Sequence, residues 1–203
     1  SFIIAMSTTV ISIVLGSLAA YGLAIMKSNW GNRISTFLLF SKLVPTITIM
    51  ITLYIILDKV HLLGTYVGPI LAHVSVNAPF VAWLVLGFIR DIPGDLFEAG
   101  KLDGCTRMQV FWKIVFPLLS PAIGSALLLV MQYSWNELLF SMQYTNLHTY
   151  TLTVGVSRFV GAISVDWGQS SAAATIVMVP IIIAGFFLQK YLVSGLTAGA
   201  VKG

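Results

Sequence analysis

Five stretches of about twenty apolar residues each constrain the fold of this sequence more than any other feature. They run over residues 2–26, 35–57, 66–89, 117–140 and 171–191. A helix needs about 20 such residues to cross about 30 Å of hydrocarbon. Charged residues make up only 9% of the chain, against about a quarter of a typical soluble domain. The sequence therefore predicts an all-α integral membrane protein with five spans and a single domain, residues 1–203.

The lysines and arginines predict how these spans are oriented. If the loop 90–116 faces the cytoplasm, eight of the eleven bases lie on that side. They are Lys27, Arg33, Arg90, Lys101, Arg107, Lys113, Lys190 and Lys202. Cytoplasmic loops of membrane proteins carry such an excess of bases. We therefore expect the loop 90–116 and the C-terminus inside the cell, and the loop 141–170 outside. The bases are scattered rather than clustered with aromatic residues, which argues against nucleic-acid binding.

The predicted cytoplasmic loop carries an unusual density of charge and of helix signals. Asp95 followed by Glu98 has the spacing of a capping box, and Gly104 can end that helix in a left-handed conformation. Thr106 with Gln109 repeats the capping pattern for a second helix. The pattern predicts two short helices joined by a sharp turn, a rigid protrusion that suits a socket in a soluble partner.

The same stretch carries a family resemblance. The residues "EAGKLDG", nine further residues and "IVFP" resemble the EAA loop of ABC-importer permeases, which reads Glu-Ala-Ala, three residues, Gly, nine residues, Ile, any residue, Leu-Pro. Gly100 stands where Ala is usual and Phe116 where Leu is usual. We expect Gly100 to loosen the first helix by up to about 1 kcal/mol. The stretches "WNELLF" and "DWGQSSAAATIVMVP" extend the likeness to carbohydrate importers of the maltose-system type.

The resemblance implies a five-span type I importer permease core without the further N-terminal span that family members usually carry. It also implies the partners: a second homologous permease, an ATPase dimer that holds ATP and Mg, and an external substrate-binding protein that meets the loop 141–170. The chain itself has no P-loop sequence, so we expect a transport subunit with no catalytic residues and no cofactor of its own. The residues implied in ATPase coupling are Glu98, Ala99, Gly100, Asp103 and Gly104. For Glu98 a helix cap alone, and for Asp103 with Gly104 a plain turn, are the structural alternatives.

A polar stripe in the fourth span suggests a translocation path. Ser125, Gln132, Asn136 and Gln143 lie 7, 4 and 7 residues apart, which keeps them near one helix face. Such a stripe either lines a wet path or bonds neighbouring helices. Trp135 beside it could stack on a sugar or simply pack.

Four other polar residues lie within or near spans. His73 and Asn77 are i, i+4 neighbours; we expect them to bond each other or another helix, with cargo contact by Asn77 as the alternative. Glu137 lies off the stripe, and either pairs with a base on another span or sits near the outer surface. Lys42 lies about seven residues inside the second span, and we expect it to snorkel to the cytoplasmic surface. The three histidines and one cysteine are too few and too scattered to predict a metal site.

Three other functions compete with a sugar or polyol importer in the cell's inner membrane. A type I importer for another solute, such as glycerol phosphate, would favour a basic cluster in the path, and the external halves of the spans contain none. An intramembrane serine protease needs an activated Ser near a His, and Ser75 is two residues from His73, so the two point apart on a helix. A self-sufficient secondary carrier would leave the capped loop unexplained.

Overall fold

A computed structural model describes residues 1–26, 30–159 and 166–200, with the side chains of the last helix described as far as Phe187. Three of its helices are long and apolar enough to cross a membrane without interruption. They are α1 (Phe2–Ala24), α4 (Val67–Arg90) and α11 (Trp167–Ala200). These helices confirm the first, third and fifth predicted spans, although α11 begins earlier and ends later than the apolar pattern indicates.

The second predicted span is not one straight helix. It consists of α2 (Trp30–Phe40), a 3₁₀ turn (Ser41–Leu43) and α3 (Thr46–Lys59), and its two arms are bent by 93°. The bend falls at Pro45, which has no N–H to donate and pushes the residue before it out of the helical region. Val44 is accordingly extended, with ψ at 125°. The continuous span over residues 35–57 was therefore a wrong prediction, although each arm is helical.

The fourth predicted span is also broken. The helical run Arg107–Leu118 comprises α6 (Arg107–Val110), a π-helical turn (Phe111–Val115) and α7 (Phe116–Leu118), and it meets α8 (Ser120–Asn136) at an angle of 77°. The bend lies between Pro117 and Pro121, neither of which can donate a backbone hydrogen bond. Counting each bent pair as one span gives up to five spans in the part of the chain that the structure describes.

Close approach between small residues holds α1 against α4. A Cβ atom built on Gly16 would lie 2.7 Å from Cβ of Val81, so only glycine fits there without a shift. Thr8, Thr9, Ser12 and Ser17 are buried along α1. Membrane helices lack a hydrophobic driving force for association in lipid, and they use such small residues to bring backbones close.

Short helices occupy the segment predicted to be an external loop. After α8 ends, α9 (Leu139–Tyr144) packs against α3, where the Tyr144 hydroxyl donates to the Met50 carbonyl over 2.6 Å. The next helix, α10 (Leu152–Ser157), begins at Thr151, whose side chain accepts from the N–H of Val154. The loop 141–170 is therefore partly helical, and its residues 160–165 lie outside the described part.

Candidate coupling surface and translocation path

The loop 90–116 contains two short helices, as the sequence predicts, but the first one starts differently. Helix α5 (Gly94–Leu102) begins after Pro93, and no side chain caps it. Asp95 lies inside the first turn, so the predicted Asp95–Glu98 capping box is wrong. A proline held at its preferred backbone angle begins the helix, and the Asp95 carboxylate lies near the positive end of the helix dipole. Glu98 is exposed rather than used as a cap.

The turn between the two helices confirms the other two local predictions. Gly104 has φ at +75°, the left-handed conformation that ends many helices. The N–H of Cys105 donates to the Gly100 carbonyl over 2.9 Å, and that of Gly104 to Lys101 over 3.0 Å, which completes a Schellman motif. The next helix begins with the predicted capping box, in which Thr106 and Gln109 each bond the other's backbone N–H.

Gly100 allows the two short helices to pack as one body. It is buried, and a Cβ atom there would lie 2.7 Å from Cδ1 of Ile114 and 3.1 Å from Cγ2 of Val110. The glycine that the sequence predicts to loosen α5 therefore also brings α5 against the π-helical turn.

The protrusion is anchored to the bundle and exposes its tip. The Tyr21 hydroxyl of α1 donates to the Arg107 carbonyl over 2.9 Å, and its ring packs against Phe97 and Phe111. On the outer side Leu102 is 88% exposed. The other exposed residues of the tip are Glu98, Ala99, Lys101, Asp103 and Gly104. The arrangement is a fixed knob with an apolar tip and charged flanks, which is the shape that docking into a groove requires.

The structure divides the six path candidates into two groups. Gln132 and Asn136 are exposed and line a cavity of about 370 Å³ with Leu129, Tyr133 and Glu137. Gln143 is exposed at a second cavity of about 250 Å³, beside α3. These three side chains are exposed, and the Asn136 amide also donates to the Gln132 carbonyl over 3.0 Å.

The other three candidates are buried and bonded within the protein. The Trp135 indole donates to the Val177 carbonyl of α11 over 3.1 Å. The Asn77 amide donates to the backbone carbonyl of His73 over 2.8 Å, and the Ser125 hydroxyl donates to that of Pro121 over 3.0 Å. Trp135 therefore packs against another helix, Asn77 bonds His73 through the backbone, and Ser125 bonds its own helix rather than a neighbouring one.

A buried polar cluster of His73, Ser134 and Glu137 was not anticipated as a unit. Nδ1 of His73 lies 2.6 Å from the Ser134 hydroxyl, and its Nε2 lies 3.1 Å from Oε2 of Glu137. An ionised carboxylate can only accept, so Nε2 is the donor in that bond. The three residues are 0%, 2% and 8% exposed respectively. Glu137 thus has a partner on another span, but that partner is a histidine and not one of the eleven lysines and arginines. The sequence feature that indicates this contact is an acid at the end of one span together with a histidine inside another.

Glu137 also organises the break that follows α8. It is extended, with ψ at 129°, and its carboxylate accepts the N–H groups of Phe140 and Ser141 over 2.9 and 3.1 Å. Those are N–H groups that the first turn of α9 leaves without helical partners. One side chain thus caps α9 and ties α8 to α4.

The cluster orders a serine, a histidine and an acid as hydrolases do, but it lacks access. Ser134 and His73 are enclosed, so no substrate carbonyl can reach the hydroxyl oxygen. Ser75 donates to the Ala72 carbonyl over 2.7 Å. Neither serine supports the protease alternative. No group of three or more metal-ligating side chains converges within residues 1–26, 30–159 and 166–200.

Lys42 is half-buried and packs against aromatic rings of two other helices. It lies on the 3₁₀ turn of the broken second span, and its ammonium is 5.0 Å from the ring centroid of Phe80 and 5.1 Å from that of Tyr133. The snorkelling prediction was wrong because the bend at Pro45 turns this segment toward α4 and α8. A lysine at the centre of a membrane helix costs about 2.5–3.5 kcal/mol on insertion scales, so the two rings offset only part of that cost.

Comparison with known proteins identifies the family. Residues 12–198 match the family described as "Binding-protein-dependent transport system inner membrane component". The chain is 34% identical to the trehalose/maltose transport system permease protein MalG of Thermococcus litoralis, over 100% of this chain and 74% of that protein. It is 32% identical to the sulfoquinovosyl glycerol transport system permease protein SmoH of Agrobacterium fabrum, over 100% and 72%.

Solved structures share the fold. A bacterial ABC transporter that imports the acidic polysaccharide alginate aligns with a TM-score of 0.73 at 21% identity, over 94% of this chain and 74% of that one. The MetNI methionine transporter aligns with a TM-score of 0.65 at 17% identity, over 94% of both chains. At these identities the likeness concerns the fold alone. From the family match and the relatives together, the chain belongs to the inner-membrane components of binding-protein-dependent transport systems, as a multi-pass ABC-importer permease.

Proposed function

We propose that this subunit carries a sugar or polyol into the cell and takes its driving force through the loop 90–116. The cargo class is supported by relatives that are named as permeases for trehalose, maltose, arabinooligosaccharides and melibiose. The mechanism rests on one observation, the closed Schellman turn and capping box that make the loop a rigid, exposed knob. A stiff protrusion transmits displacement, whereas a flexible loop would absorb it.

In the proposed arrangement, the knob docks into one subunit of an ATPase dimer on the cytoplasmic side. Glu98, Ala99, Asp103 and Gly104 lie on its exposed surface, and Gly100 holds its two helices together. ATP and Mg are bound by those partner subunits. The C-terminus lies on the same side of the membrane, and the whole chain 1–203 acts as one domain.

A second homologous permease completes the translocation path. Gln132, Asn136 and Gln143 are the residues of this chain that offer amide groups to cargo hydroxyls. An external binding protein delivers the cargo to the face that carries residues 141–170. One of the aligned structures is an alginate transporter in complex with a substrate-bound periplasmic protein, which supports that arrangement.

The experiment exchanges the charge on the knob. Glu98→Lys should leave membrane insertion intact but lower copurification with the ATPase subunits and lower uptake severalfold, since Glu98 is exposed and holds no helix cap. Lys59→Glu changes a charge of the same size at the far end of α3 and serves as the matched control. Normal uptake and normal ATPase recovery by Glu98→Lys would count against the coupling role.

A further inference from the structure

The Lys42 ammonium lies beside the middle of α4 rather than beside either of its ends. The Phe80 ring that it faces lies ten residues before the end of α4 at Arg90. At 1.5 Å per residue that is about 15 Å, or half of a hydrocarbon layer of about 30 Å. Lipid headgroups lie at the edges of that layer, so the side chain is out of their reach.

The described residues provide this charge with rings but no counter-ion. No carboxylate of the described residues lies within ion-pair distance of the Lys42 ammonium, and the Glu137 carboxylate is bonded to His73 and to the first N–H groups of α9. Ionisable residues inside a membrane generally face the interior of a bundle or a wet cavity, and they mark the route of a substrate or ion. A cation without a carboxylate partner at that depth points to a ligand that brings the negative charge.

A cavity of about 280 Å³ beside Lys42 has a mostly apolar wall that carries a few polar groups. Its hydroxyl-bearing lining residues are Ser41, Thr46, Ser75 and Tyr133. Pro79 also lines it and has no N–H, so the Ser75 carbonyl lacks its helical donor and is available as an acceptor. Hydroxyls, a carbonyl and an aromatic ring are the groups that bind the hydroxyls and the apolar face of a sugar.

Tyr133 joins this cavity to the proposed path. Its side chain lines both the Lys42 cavity and the neighbouring cavity that contains Gln132 and Asn136. Together the two spaces fall within the range of small-molecule sites, about 300–1,000 Å³. The two spaces therefore share one wall, the Tyr133 side chain.

We propose that the Lys42 cavity is a subsite for the anionic group of the cargo, a carboxylate or sulfonate carried on a saccharide. The proposal rests on the proposed function and makes its cargo more specific. The ammonium supplies up to three donors to the anion, and charge-assisted hydrogen bonds are about twice as strong as neutral ones.

A matched pair of sugars tests the charge. Saturation-transfer NMR measures binding of methyl β-D-glucuronide and methyl β-D-glucoside, which differ only at C6, where one has a carboxylate and the other a hydroxymethyl group. The sample is the complete importer, with both permeases and its ATPases in detergent, without the external binding protein, so that the membrane subunits alone decide the preference. We expect the glucuronide to bind about tenfold more tightly, which corresponds to about 1.4 kcal/mol.

Three variants assign the preference to Lys42. Lys42→Met should remove it, and Lys42→Arg should retain most of it, because arginine keeps the charge and the donors. Lys59→Met, at an exposed position at the end of α3, should leave it unchanged. A preference that survives in Lys42→Met would overturn the proposal.

Two further results would also overturn it: equal binding of both glycosides to the unaltered importer, or binding of neither. Equal binding is the result expected if an acid of the second permease already neutralises Lys42. ATPase copurification and ATP hydrolysis by the same samples keep the two proposals apart. If the sugars give an overturning result while ATPase copurification and ATP hydrolysis are normal, only the anionic subsite is rejected. If the unaltered permease recovers no ATPase, the proposed function is rejected.

Discussion

The knob of the loop 90–116 and the polar cluster at the end of α8 are both fixed points of this molecule, but different contacts hold them. The knob is held by bonds between near neighbours, such as Cys105 to Gly100 and Thr106 to Gln109. The cluster joins residues 64 positions apart, His73 and Glu137, within the membrane bundle. The knob can therefore keep its own shape while it moves as a unit, whereas the cluster constrains how α4 and α8 move relative to each other.

The two regions are connected by one helix. His73 lies near one end of α4, and Arg90 at its other end leads into α5 after three residues. In the proposed coupling, a displacement of the knob would reach α4 directly, and the cluster would pass it to the break after α8. That break lies next to Asn136, one of the amides that line the proposed path.

The largest effect is expected from Glu137→Ala, which removes the partner of His73 and the cap of α9 together. Removal of one member of a buried pair typically costs about 3 kcal/mol or more, because the other is left unsatisfied. The thermal midpoint of the purified importer should fall accordingly. Glu137→Gln is the control, since its amide oxygen can still accept one of the two N–H groups. Equal thermal midpoints for Glu137→Ala and the unaltered protein would show that the cluster does not stabilise the fold.

A smaller loss is expected from Gly104→Ala in the knob. The left-handed conformation costs about 1–2 kcal/mol for a residue with a side chain, and no atom lies within 4 Å of the added Cβ, so the effect is purely conformational. Hydrogen exchange of residues 94–110 should become faster, and ATPase recovery should fall. Gly94→Ala adds the same methyl group in open space without a left-handed angle, and it should change neither measurement.

The smallest effect is expected from Ser134→Ala, which removes one neutral hydrogen bond from the cluster. Such bonds between membrane helices average about 0.6 kcal/mol. The same thermal measurement should show a shift well below that of Glu137→Ala. A loss as large as that of Glu137→Ala would mean that the serine, rather than the acid, holds the cluster together.

The difference between the two regions also explains how far the sequence alone could be interpreted. Gly104, Thr106 and Gln109 are within a few residues of their partners, so their motifs predict the turn and the second cap correctly. The start of α5 was missed because Pro93 competes with Asp95 for the same role.

Long-range contacts and helix bends could not be predicted from sequence motifs. No spacing rule connects His73 to Glu137. The position predicted for Lys42 assumed that the second span is one continuous helix, and the bend at Pro45 interrupts that helix. Of the polar stripe, the periodicity correctly puts Gln132 and Asn136 on one exposed face. It could not show that α11 covers Trp135 or that Ser125 bonds its own backbone.

The length of α11 has a consequence of its own. Its 34 residues extend about 51 Å at 1.5 Å per residue, against about 30 Å of hydrocarbon. Even a tilt of 40°, the upper end of the usual range, leaves a vertical height of about 39 Å. At least one end of this helix must therefore stand in the headgroups or in water. The part of the helix that extends beyond the hydrocarbon can contact water or soluble partners, while the rest contacts lipid tails.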